Sequence, residues 1–255
     1  MDKRRSQRQK IMIFAIISFF LVFILNGILA NSNVSLSTDL PPQKVHPLPD
    51  FLANWEDNTL SGDYFKQIEQ TPLGYLVWSE FPVTIFVQKP TRVSSEKTAA
   101  DLRYQQWIAT VEQAIVQWQA YFPLKETADK DAADIIVLRS RPKREVKLNP
   151  QTNLFDIPRA VTAETTYEFY IKQNPATIAH KMQIQISPSY TGIALLATAR
   201  HEIGHALGLW GHSLNKQDAL YFSQVRNPSE ISHRDINTLK SIYQNPTRLG
   251  WKIAR

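Results

Sequence analysis

The residues able to do chemistry gather in one stretch of this 255-residue chain, His201-Glu202-Ile203-Gly204-His205-Ala206-Leu207-Gly208, followed by Leu209-Trp210-Gly211-His212-Ser213. Half of the six histidines fall within twelve residues there. Histidines four apart on a helix present their side chains one turn apart on the same face. Two neutral imidazoles so placed can share one Zn2+ at roughly 2.0–2.1 Å. Glu202 neighbours the first of them and points beside such an ion rather than at it. A carboxylate there can take a proton from zinc-bound water, whose pKa the metal lowers toward about 7, and pass it to a leaving amine. Tetrahedral zinc with one open position still needs a third protein ligand. Gly208 can take the left-handed conformation that ends a helix, and His212 is the first side chain after that turn with metal affinity. Leu209, Trp210 and Gly211 cannot ligate; a downstream glutamate such as Glu230 is the alternative third ligand. The expectation is one catalytic Zn2+ on His201, His205 and His212, with Glu202 as base. Histidines merely filling a buried helix would leave three imidazoles and Glu202 without partners, which is costly.

The element that must carry the pair is a helix over about residues 191–207, approached by the apolar Ile193, Leu195, Leu196, Ala197 and Ala199. Upstream, Val83–Val87 is β-branched and bounded by Pro82 and Pro90, hence a strand. Ser94 or Ser95 opens a long helix with Trp107, Val111, Ala114, Ile115, Trp118 and Phe122 at three- and four-residue spacing, and Pro123 closes it. Asp134–Leu138 reads as a strand, as do Thr165–Ile171 and the alternating Met182, Ile184 and Ile186. A last helix near residues 232–244 has Ser232 and Asp235 as a capping box and Ile236, Leu239 and Ile242 as its stripe. Strands and helices in this order indicate an α/β or α+β sandwich. Lys143-Arg144 reads as a solvated loop.

Hydrophobic content of 43%, with six Trp and twelve Phe, can build a core. The formal charge of +6 is mostly positional, since Lys3, Arg4, Arg5, Arg8 and Lys10 against Asp2 give +4 before residue 31. A basic face for nucleic acid is therefore not expected. Without cysteine there are no disulfides, thiolate metal sites or cysteine nucleophiles. Residues 11–30 are uncharged behind a basic leader and read as a signal peptide or a retained signal anchor. Either places the rest of the chain outside the cytoplasm, membrane-anchored or secreted/periplasmic. Residues 31–75 read as a linker or possible pro-segment, and 76–255 as the catalytic domain.

HEIGHALGLWGHS is similar to the metzincin metallopeptidase sequence His-Glu-x-x-His-x-x-Gly-x-x-His, and most closely to the matrixin branch. The family's third histidine falls three residues after the glycine; that place is Gly211 here, and the histidine comes one later. Asp218-Ala219-Leu220-Tyr221 stands where matrixins have a methionine-containing turn, with Leu220 in the methionine place. The returning register implies one residue inserted between Gly208 and His212. The resemblance implies a peptidase acting on protein or peptide substrates. It also implies an α+β, metzincin-like zincin fold: a twisted mixed sheet with a long backing helix and an active-site helix, then a small C-terminal subdomain ending in a helix. Tyr221 resembles a tyrosine that some metzincins use to support the metal or transition state, but core packing is the reading preferred for it. His46, His180 and His233 are isolated and give no support for a second zinc. A gluzincin-type hydrolase using Glu230, or an inactive membrane-anchored binding protein, are the competing readings.

Overall fold

The computed structural model describes residues 40–91, 98–143, 147–149, 154–156, 162–223, 225 and 227–253. The uncharged stretch at 11–30, the linker up to residue 39 and the helix-opening Ser94 or Ser95 lie outside the described residues. No helix among the described residues is long and apolar enough to cross a membrane.

In chain order the elements are α1 (Asp50–Ala53), a 3-10 turn at Phe65–Gln67, β1 (Val83–Val87), α2 (Ala99–Gln119), β2 (Leu124–Glu126), β3 (Ile135–Leu138), the hairpin β4 (Lys147–Asn149) and β5 (Leu154–Asp156), β6 (Ala163–Lys172), β7 (Thr177–Ile186), α3 (Gly192–Ala206) and α4 (His233–Tyr243). Five strands form one sheet in the order β2-β1-β3-β7-β6. Every neighbouring pair is parallel except β6 with β7, which is antiparallel and puts β6 on the edge. This is the mixed sheet that the resemblance implies, within the α/β or α+β class that the sequence pattern indicates.

Parallel strands covered on both faces read as unbroken apolar runs. Here they alternate: Val83, Ile85 and Val87 are buried while Thr84 and Phe86 are not, and β3 repeats the pattern. One face is therefore the covered one, and α2 and α3 pack there together. Trp107, Val111, Ala114, Ile115 and Trp118 of α2 are buried in the same core as Leu195, Ala199 and Ile203 of α3. Each Val, Leu or Ile among them contributes roughly 1.5–3 kcal/mol by burial. Trp118 Nε1–H also donates to Arg200 O at 2.9 Å, tying the backing helix to the one that carries the motif.

The start of α2 is set by a reciprocal cap. The Thr98 hydroxyl accepts the Asp101 N–H at 3.2 Å, and the Asp101 carboxylate accepts the Thr98 N–H at 2.8 Å. α4 begins the same way at Ser232 and Asp235, as its sequence indicates.

Residues 40–75 are packed as part of the compact unit rather than held apart from it. Leu52, Tyr64, Ile68 and Tyr75 are buried in the main core. Lys44 pairs with Thr247, and the Trp55 indole N–H donates to Asn237 Oδ1 at 2.8 Å. Their apolar residues recur with neither helical nor strand period, so nothing periodic in the sequence announces this packing.

Candidate metal centre and active site

The last turn of α3 is secured from two other elements. Ala206 O accepts the Trp78 Nε1–H at 2.9 Å, and Leu207 O accepts the Tyr243 hydroxyl at 3.2 Å. These are carbonyls that a helix end otherwise leaves without partners. The chain then leaves the helix at Gly208, whose φ is +122° and where a Cβ would stand 2.4 Å from Leu76 O. Both facts demand glycine there. Beyond it the chain returns toward α3, and Ser213 N–H donates to Leu220 O at 2.8 Å while Phe222 N–H donates to Ser213 O at 3.2 Å.

His201, His205 and His212 bring one imidazole nitrogen each to within 4.8 Å of one another, a group able to hold a metal ion. Their tautomers are dictated by neighbours. His201 Nδ1 lies 2.9 Å from Ala219 O and His205 Nδ1 lies 2.7 Å from Leu209 O. A carbonyl only accepts, so both Nδ1 atoms carry the hydrogen and both Nε2 atoms present lone pairs. Those two Nε2 atoms face each other at 3.1 Å. Neither can donate to the other unless one ring is protonated, and burial opposes that: it pushes His201 down to about 4 and His205 well below the ordinary range. Two converging lone pairs repel in isolation and suit a shared cation. Tetrahedral zinc with nitrogens at 2.0–2.1 Å would set them about 3.3 Å apart. The donor set fits zinc, and nitrogen ligands of neutral imidazole suit it chemically. His212 lies at the exposed lip, its ring centroid 5.2 Å from that of His201 and 4.8 Å from that of His205.

Glu202 is buried on the β6 side of the same helix. The Thr165 hydroxyl of β6 donates to Glu202 Oε2 at 2.6 Å and to Glu202 O at 3.1 Å. Burial pushes the carboxyl up to about 7, Thr165 pulls against that rise, and Glu164 adds to it. Nothing local in the sequence marks Thr165. It shares the odd-numbered phase of Tyr167 and Phe169 on β6, and its approach to Glu202 depends on how helix and sheet meet.

Trp210 packs edge-on against Tyr167, centroids 5.0 Å apart, and lies 5.9 Å from His205. Leu220 is fully buried beneath the centre. A Cβ on Gly204 would come 2.6 Å from its Cδ2, so the leucine fills the space below the helix completely. Ala219, whose carbonyl holds His201, is itself fixed by Asp235 Oδ2, which accepts the Ala219 N–H at 2.9 Å. Asp235 also accepts the Ser232 N–H at 2.7 Å and, on Oδ1, the Tyr64 hydroxyl at 2.6 Å. The capping carboxylate of α4 thus reaches the metal centre through one backbone link. Ser213, beside His212, donates to Asp218 Oδ2 at 2.5 Å, and Arg234 Nε donates to the same oxygen at 3.1 Å.

Tyr221 is half-buried and packs against Phe222 at 4.6 Å. Glu230 is exposed and outside the histidine group; its charge acts on buried Arg200. The other histidines have structural partners: His46 stacks on Trp251 at 4.2 Å, His180 stacks on Trp78 at 3.9 Å, and His233 contacts Asp57 at 3.1 Å.

The matrixin peptidase family matches residues 90–244, from just after β1 through α4. That is more than half of the chain, and with this sheet and this trio of histidines the protein belongs to the matrixin family of zinc metallopeptidases. No curated protein matches the chain.

Proposed function

We propose that the chain is a zinc-dependent endopeptidase in which His201, His205 and His212 hold one Zn2+ and Glu202 is the general base. The observation that carries this reading is the pair of Nε2 atoms facing each other at 3.1 Å with both Nδ1 hydrogens already given to carbonyls. Zinc held there supplies an acidified water and polarises the scissile carbonyl.

The chain's own residues divide the remaining work. With Glu202 Oε2 engaged by Thr165, Oε1 is the oxygen that takes the proton of the attacking water. Burial raises the carboxyl's affinity for a proton, so Glu202 can take one from the attacking water and then hand it to the leaving amine. β6 is the terminal strand of its sheet, and an extended substrate backbone can run along such an edge. Trp210 and Tyr167 form an aromatic wall beside the histidines against which a substrate side chain can pack. The basic leader and uncharged stretch at residues 1–30 support export of the catalytic part, either anchored or released.

Glu202→Ala tests the mechanism. It should keep one zinc per chain and lose at least about a hundredfold in hydrolysis of a broad peptide library. Full activity in that variant would sink the assignment of the base, and activity that survives a chelator would sink the metal. Stoichiometric zinc in His212→Ala would favour Glu230 as the third ligand. Fractionating cells that express a C-terminally tagged chain tests export; tag confined to the cytoplasm would reject it.

A further inference from the structure

His201 and His205 are each fixed by a hydrogen bond from the ring to a carbonyl, whereas the His212 ring makes none among the described residues. Its position rests on the main chain that carries it. That main chain is gripped by a segment far away in sequence. Glu69 N–H donates to Trp210 O at 2.8 Å, and Ile68 pairs with Gly211 in an antiparallel bridge. The approach is so close that a Cβ on Gly211 would stand 2.1 Å from Gln67 O and 3.1 Å from the Ile68 Cα. Glycine is needed there for space.

The gripping segment is itself anchored. Gln67 N–H donates to Tyr64 O at 2.9 Å, Ile68 N–H donates to Phe65 O at 3.0 Å, and Ile68 is buried. Tyr64 N–H donates to Thr238 Oγ1 at 2.9 Å and its hydroxyl reaches Asp235, so the segment is seated on α4. Asp235 is the same residue that fixes Ala219, the acceptor of His201. Two sides of the histidine group are thereby referred to one helix.

We propose that Gln67–Glu69 is a positioning element for the third metal-binding side chain, and that Gly211 is the residue that admits it. The proposal rests on the reading of His201, His205 and His212 as zinc ligands. It assigns a role to residues that precede the family match, which begins at residue 90.

The test is zinc affinity of the full chain by competition with a chromophoric chelator, with the metal alone as probe. Glu69→Pro removes the donor to Trp210 while Ile68, at φ −86° and ψ 126°, already has the extended backbone that a following proline requires. Glu69→Ala keeps the N–H and serves as control. Glu69→Pro and Gly211→Ala should each weaken zinc binding about ten- to a hundredfold, the range expected when support behind a ligand is lost. Glu69→Ala should match the wild type. In a His212→Ala background neither change should weaken binding further. Unchanged affinity in folded Glu69→Pro overturns the proposal, and so does an equal loss with and without His212, which would mean general damage to the fold. If Gly211→Ala fails to fold, the two Glu69 variants decide alone. A wild-type chain that binds no zinc overturns the metal reading and this proposal together, whereas tight wild-type binding with an indifferent Glu69→Pro overturns this proposal only.

Discussion

The Thr165 hydroxyl is shared between two acceptors of one residue, Oε2 of Glu202 at 2.6 Å and its main-chain oxygen at 3.1 Å. A single hydrogen so divided pins the carboxylate to its own helix backbone and leaves Oε1 outside that contact. Hydrogen bonds to charged groups are worth about 1.5–3 kcal/mol, so Thr165→Val should lower kcat about ten- to a hundredfold, with KM and zinc content little changed. Thr165→Ser should restore most of the rate. Because the hydroxyl favours the ionised carboxylate, its loss should also move the acidic limb of the kcat profile to higher pH. A Thr165→Val enzyme with wild-type kcat and an unmoved limb would show that the contact is only packing.

The site was legible in the sequence to the extent that its parts are local. The four-residue spacing of His201 and His205, the turn at Gly208 and the cap at Ser232 and Asp235 are short-range patterns, and each appears in the structure where its spacing puts it. Long-range partners leave no such trace. Thr165 reaches Glu202 across 37 positions, and Asp235 reaches Tyr64 across 171. The packing of residues 40–75 was illegible for the same reason, since its four buried anchors have no shared period. The opening of α2 was hard to place because Thr98 and the earlier serines are all capping residue types, and only the reciprocal bonds with Asp101 choose between them.

Leu220 should be replaceable by methionine and not by alanine. It is fully buried against Gly204 and Trp118, so its size matters more than its chemistry. Volume-conserving swaps usually cost less than about 1.5 kcal/mol, whereas Leu→Ala in a core costs about 2–5 kcal/mol. Leu220→Met should therefore keep Tm and zinc affinity near wild type, and Leu220→Ala should lower Tm sharply. A wild-type Tm in Leu220→Ala would show that the space below the helix can collapse without cost.

A chain begun at residue 76 should not fold, although the family match starts later still. It would lack Leu52, Tyr64, Ile68 and Tyr75 from the core and leave buried Asp235 without the Tyr64 hydroxyl. Large-to-small losses in a core run to about 2–5 kcal/mol each, and four together exceed the reserve of an ordinary domain. A chain begun at residue 40 keeps all of them and should unfold cooperatively near the Tm of the full chain. Circular dichroism melts of the two lengths decide this; a sharp transition in the shorter one would refute it.

His180 should impose an acid limb on the stability of the zinc-free protein. It is buried in β7, stacked on Trp78, and its Nε2 has no hydrogen-bond partner among the described residues. Burial pushes its pKa down to about 3 from the ordinary 6.5. Between those values the unfolded chain binds a proton that the folded chain does not, so stability falls as pH drops through that window and is fully recovered above it. The slope from one such group is about 1.4 kcal/mol per pH unit. Glu202 acts with the opposite sign: its carboxyl, raised from 4.5 to about 7, costs stability as pH rises between those values. The comparison must therefore be a difference between variants. His180→Leu, close in volume and unable to titrate, should reduce the slope of unfolding free energy against pH by about one proton between pH 4 and 6, with Glu202 contributing equally to both proteins. Parallel slopes from urea titrations across that range would mean that His180 carries its proton in the folded chain.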